Sequence, residues 1–263
     1  MTSIPQFVVP GQTVESVVLT SGGFQLVLSG GETIGTIINA GGIQLAGGTE
    51  DNTTIAGGGL QFVFSSSDFL VFSGLGSSLT SSEISSITAN VASLGTLGFF
   101  ISAFGGVSGL ISAIESGFTL GFDGVARNTT VYSGGMQAVG DGAFATNTTV
   151  SSGGFQAVLG GVATSTSVGS GGFQIVGAGQ DFLLFGSGSG NGEVDGSIVN
   201  GGVQWVRSGG IASGTVLAGP GGATTVTLFG SAFPFPAGAE FVFSGGTAEG
   251  TVVGSGSFQV ARS

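Results

Sequence analysis

The sequence has no cysteine, no histidine and no lysine, and its only basic residues are Arg127, Arg207 and Arg262. Without Cys or His there is no disulfide framework, no thiol nucleophile, no Ser-His-Asp triad and no zinc site of the usual kind. Three basic residues against 14 acids leave a net charge of -11. Such a chain cannot neutralise a phosphate backbone, which excludes nucleic acid as a partner, and an anionic membrane surface is disfavoured for the same reason. The acids that remain for hydrolysis chemistry mostly stand singly in turn-like segments, as Asp123 and Asp141 do. Nothing supplies a general base with a positioned partner, so the chain is read as no enzyme and as needing no cofactor.

Glycine is abundant, at 56 residues, but without the every-third spacing of a collagen triple helix. Disordered chains are poor in apolar residues, whereas this one is 41% apolar with 22 Phe, so it should fold. The stretch from Ala126 to Gly179 shows how. Three times the chain spells Ala-x-x-Thr-x-Val-x-Ser-Gly-Gly, or a close variant, then a large apolar residue, Gln, an apolar residue and Val. The glutamines are Gln137, Gln156 and Gln174. A near-fixed period of about 20 residues means one supersecondary unit stacked on copies of itself.

The same unit recurs around Gln25, Gln44, Gln61, Gln204 and Gln259. Each half-unit is a short run of β-branched residues closed by a glycine pair, which predicts short strands joined by turns that need positive φ. The fold class expected is therefore all-β: a β-solenoid, or parallel β-helix, of roughly ten to twelve coils. The stretch TSSEISSITANVASLGTLGFFISAFGGVSGLISAIES departs from the pattern. A capping box at Thr80–Glu83 and apolar residues at helical spacing predict a helical pair over 80–94 and 97–116. The expected organisation is solenoid coils over 1–79, a helical insert over 80–118 and further coils over 119–263, as one continuous solenoid. The insert is uncharged from Ile84 to Ile114, but no basic residue flanks it and it is rich in Gly, Ser and Thr, which argues against a membrane span. In the second half, GSGSGNGEVDGSIVN, carrying Glu193 and Asp195, reads as a loop.

Strand side chains alternate between faces. The residue before each Gln is always large and apolar, which places it inside and turns the Gln outward; the opposite choice buries Gln and Val together. Either way, stacked glutamines at 25, 44, 61, 137, 156, 174, 204 and 259 can form amide ladders along the stack, a structural role with a sugar-binding amide row as its alternative. No serial Gly-Gly-x-Gly-x-Asp motif points to calcium, and the Asn-Thr-Thr sequences beginning at Asn52, Asn128 and Asn147 read as turn chemistry. The Thr and Ser pairs at 129–130, 148–149 and 166–167 raise the alternative of a flat hydroxyl surface that orders water.

The motif Gly-Gly-x-Gln-x-Val followed by Ala-x-x-Thr-x-Val-x-Ser-Gly-Gly resembles the passenger repeats of AIDA-type autotransporter adhesins. The resemblance is close over 126–179, good over 13–63, loose over 193–261 and absent from the insert. It implies a right-handed β-solenoid on a bacterial surface, with roles in adhesion, autoaggregation or biofilm. It also implies Thr129, Thr130, Thr148 and Thr149 as conceivable glycosylation acceptors. The N-terminal MTSIPQFVVPGQTV has no basic region and is interrupted by Pro5 and Pro10, so export without a conventional signal peptide is expected, to the cell surface or outside it.

The first and last coils carry apolar strands without an evident polar cap. This leads to the expectation of a self-assembling polymer, head to tail, in an extracellular filament, surface layer or biofilm matrix. The chain's partner would then be itself, through Phe7, Val8 and Val9 at one end and Phe258 and Val260 at the other. Phe100 and Phe104 of the insert would supply a further contact. The alternative is a monomeric or cell-tethered adhesin that binds a surface or glycan.

Overall fold

The computed structural model describes residues 6–65, 124–179, 190–219, 223–228, 231–236 and 238–262, with the backbone alone given for 223–228 and 231–236. The described residues belong to one compact unit, made of Met1–Asp68 and Gly121–Ser263. The helical pair expected over 80–94 and 97–116 lies outside the described residues. Among the described residues no helix is long and apolar enough to cross a membrane.

The unit is a parallel β-helix whose coils each contribute one strand to each of three sheets. The first sheet has ten strands, from Gln6–Val8 to Phe258–Ala261. The second has nine, from Thr13–Glu15 to Thr247–Glu249, and the third has nine, from Val18–Leu19 to Val252–Val253. Every neighbouring pair in these sheets is parallel and in register, so like residues lie over like. The Gln61 coil pairs directly with the Gln137 coil, Leu60 opposite Met136 and Val63 opposite Val139, although almost eighty residues of sequence separate them. A short antiparallel hairpin, Ala223–Leu228 with Ser231–Pro236, interrupts the repeat before the Glu240 coil.

The two corners that the glycine and asparagine signals predicted have separate physical reasons. Between the second and third sheets one residue per coil takes a left-handed φ: Asn52 at 56°, Asn128 at 53° and Asn147 at 55°, with Ser or Gly in the same place elsewhere. Asn tolerates this conformation better than other side chains do. The three Asn-Thr-Thr sequences are thus corner residues. Between the third and first sheets stands the glycine pair, and its members do different work. Gly134 has φ of 75°, while a Cβ on Gly135 would sit 2.6 Å from the backbone oxygen of Ile55 in the coil below. The first glycine supplies the turn and the second lets coils approach.

Three of the expectations are corrected by this architecture. The residue before each Gln faces outward, and the Gln faces inward together with the Val or Ala two positions later. The interior is narrow: valines of the first sheet (Val63, Val139, Val158, Val176) meet alanines of the second (Ala126, Ala145, Ala163) in one buried cluster. Phenylalanines would not fit that gap, whereas an amide that finds partners along the stack axis can be buried without water. The outward row is apolar as well, with Phe155 stacked on Phe173 at 5.5 Å and Trp205 edge-on to Phe173 at 4.9 Å. Both faces of this sheet read as hydrophobic, so apolarity did not tell inside from outside.

The second correction concerns GNGEVDGSIVN, which is two strands, Gly192–Asp195 and Ile198–Asn200, and not a loop. Val194 points inward at 0% exposure while Glu193 and Asp195 are exposed on the outer side, the ordinary alternation of a strand. The third concerns the Thr rows. Thr129, Thr148 and Thr166 are buried, and only Thr130, Thr149 and Ser167 face outward, because the residues after each left-handed corner alternate between the two sides. A flat double hydroxyl row does not form, and Thr129 and Thr148 are not accessible as glycosylation acceptors.

Candidate functional site

The inward glutamines form one continuous ladder. Gln25 donates from Nε2 to Oε1 of Gln6 at 2.7 Å, Gln44 to Gln25 at 2.7 Å, and Gln61 to Gln44 at 2.8 Å. The next rungs are Gln137 to Gln61 at 2.9 Å, Gln156 to Gln137 at 2.8 Å, Gln174 to Gln156 at 2.7 Å and Gln204 to Gln174 at 2.7 Å. From Gln25 to Gln204 these side chains are 0% exposed. Each amide is donor and acceptor at once, so each rung satisfies its neighbours. Net, such a bond contributes roughly 0.5–1.5 kcal/mol, but a rung removed leaves a buried group unpaired at greater cost.

A row of hydroxyls runs beside the amides. Thr148 donates to Gln137 Oε1 at 3.2 Å, Thr166 to Gln156 Oε1 at 3.3 Å and Thr215 to Gln204 Oε1 at 3.2 Å. Thr36, Thr53, Thr129 and Ser197 occupy the same interior place in other coils, buried and without a partner among the described residues. The ladder has polarity: every amide N–H points towards the N-terminal end and every oxygen towards the C-terminal end.

Two carboxylates stand in the interior. Glu50 lies in the row of small residues on the second sheet, between Thr33 and Ala126, fully buried and with neither oxygen partnered among the described residues. Burial pushes its carboxyl well above the usual range. Glu240 takes a rung of the Gln ladder itself, in register with Gln204 on one side and Gln259 on the other. Its Oε2 accepts from Gln259 Nε2 at 2.7 Å and from Thr251 at 3.0 Å, while Oε1 is buried without a partner. Its carboxyl is raised by burial, against the lowering effect of those two hydrogen bonds.

The sequence reading omitted Gln6 and Glu240 from the ladder. Gln6 lacks a preceding glycine pair and Glu240 is an acid, yet each sits 19 positions from its neighbouring rung, Gln25 and Gln259, the usual period. The spacing alone would have found both. Of the expected subunit contacts, Phe7 and Val9 are exposed at 37% and 47%, and Val8 is buried in the interior. Phe258 and Val260 face outward on the last strand of the same sheet and are half-buried; Phe100 and Phe104 lie outside the described residues. No group of three or more Asp or Glu side chains that could hold a metal ion occurs among the described residues.

The strand pairing defines the class of molecule, a parallel solenoid of glutamine-bearing coils, and one family model matches part of it. Residues 118–172 match the family model described as AIDA, adhesin of bacterial autotransporter system, probable stalk. That segment carries AIDA-type repeats, the repeats of an adhesin-type bacterial surface protein. No curated protein matches the sequence. Among solved structures the chain is similar to a crystal structure of a TibC-catalysed, hyper-glycosylated fragment of TibA, at 25% identity and a TM-score of 0.36, over 100% of this chain and 93% of that one. Overlap at that TM-score carries no weight for the fold, which rests on the strand pairing.

Proposed function

We propose that the chain is a structural coil stack of the bacterial cell surface or extracellular matrix, and that its copies join head to tail into filaments. The polarity of the interior ladder carries this reading. Among the described residues Gln6 accepts from Gln25 and leaves its amide N–H unused at one end of the ladder; Gln259 spends its N–H on Glu240 and leaves an amide oxygen at the other. A second copy stacked coil on coil lets its Gln6 Nε2–H donate to Gln259 Oε1, with strand edges in the same parallel register. The contact is heterologous and repeats without closing.

A second reading, a tethered adhesin whose stack is a stiff spacer presenting a surface or glycan-binding element, is favoured by the match of residues 118–172 to an adhesin stalk. Negative-stain electron microscopy of the purified chain over a concentration series separates the two. Filaments that lengthen with concentration, and that Gln259→Leu shortens without unfolding the coils, support end-to-end joining. Separate short particles at every concentration overturn it and leave the spacer.

A further inference from the structure

We propose that the C-terminal coil is held by a proton: Glu240 is a neutral acid whose Oε1–H donates to Oε1 of Gln204. The geometry of the ladder points to it. From Gln25 to Gln174 each inward amide presents its oxygen to the following coil and its N–H to the preceding one. Glu240 Oε2 plays the oxygen's part, accepting from Gln259 and Thr251. That leaves Oε1 where a glutamine would carry Nε2, buried and unpartnered among the described residues, in register with Gln204, whose N–H is already spent on Gln174 and whose Oε1, accepting from Thr215, is the polar atom left to receive a hydrogen. Two oxygens facing each other in a dry interior repel unless one of them carries hydrogen.

Among the described residues nothing charged compensates a carboxylate there. The preceding coil offers Val203–Val206 and Thr215, its own coil Thr251, and the following coil Phe258–Ala261. Across from Glu240 stand Ala212, Leu217 and Ala248, with Val253 half exposed beside the last strand, none of them titratable. The charged residues on these elements, Arg207, Glu249 and Arg262, are all exposed, away from the interior.

The upward shift of the Glu240 carboxyl, caused first by burial, runs in the same direction. Its sign fixes the outcome. A carboxyl whose folded value is raised stabilises the closed coil fully below its ordinary value of 4.5, and that stabilisation is lost as pH rises through the folded value. The last coils, Ala239–Ala261, therefore dock in acid and loosen towards alkaline pH. The device does not depend on whether stacks join end to end.

Amide hydrogen exchange on the full chain tests it, with rates corrected for intrinsic exchange and the coils from Thr130 to Val176 as internal reference. Protection over 239–262 is expected to fall about tenfold per pH unit above 4.5, then to level off past the raised folded value. Glu240→Gln restores an amide rung and is expected to make that protection flat with pH and higher at neutrality. Isotope-edited infrared spectra should show a neutral carboxylic acid band in the parent that the same variant removes. A flat profile in the parent, or a Glu240→Gln profile that tracks the parent, overturns the proposal.

Discussion

From Gln6 to Gln204 every rung of the interior ladder is an amide, whereas the next rung is the carboxyl of Glu240. An amide brings its own donor and acceptor, so a stack of amides closes its hydrogen bonds with no outside help. A carboxyl brings two acceptors and must borrow a proton to do the same. The difference separates a stretch of the solenoid whose stability is indifferent to pH at each rung from one that is not. Glu50 extends the contrast to a second row: it replaces a small side chain with an acid that has no partner among the described residues.

The largest effect should come from breaking the amide stretch in its middle. Gln156→Leu leaves Gln174 Nε2 without its acceptor and Thr166 without its bond, both buried, and should cost about 3 kcal/mol in denaturant unfolding. Next comes the acid in the small-residue row. Glu50→Leu removes an unpaired buried carboxyl and should stabilise the chain by about 1–3 kcal/mol at neutral pH. Because burial raises the Glu50 carboxyl, the parent is most stable below the ordinary value of 4.5 and weakens as pH rises; the gain from Glu50→Leu should shrink in acid. A thermal-unfolding series against pH for parent and variant measures both.

Smaller effects sharpen the inside–outside assignment. Asn128→Ala, at φ of 53°, should cost about 1 kcal/mol, and Asn128→Gly less. Thr148→Val loses the bond to Gln137 and should cost about 1 kcal/mol, whereas Thr149→Val on the exposed side should stay within about 0.5 kcal/mol. Equal costs for the two threonines would erase the distinction between the two sides of the corner.

Much of this was legible beforehand, and the reasons are physical. A period near 20 residues with glycine pairs and β-branched runs can only be satisfied by stacked coils, and the turn roles of Asn128 and Gly134 follow from conformational limits on side chains. The facing of Gln137 was not legible, because Met136 and Ala138 on the outer side are as apolar as Val139 on the inner, and hydrophobic alternation fails on a sheet that is apolar on both sides. Thr148 and Thr149 look alike in sequence, yet the left-handed Asn147 just before them resets which side faces in. Glu240 hid behind its chemistry: an acid is expected at the surface, and only its spacing from Gln259 betrays a ladder position.

The most direct test of the account is hydrogen exchange at the glutamine side-chain amides, read by nuclear magnetic resonance with residue-specific assignments. Gln25, Gln44, Gln61, Gln137, Gln156, Gln174 and Gln204 should retain their Nε2 protons about as long as the best-protected backbone amides, while the exposed Gln12 exchanges at once. Exchange of those seven at the rate of Gln12 would put the glutamines outside and contradict the ladder.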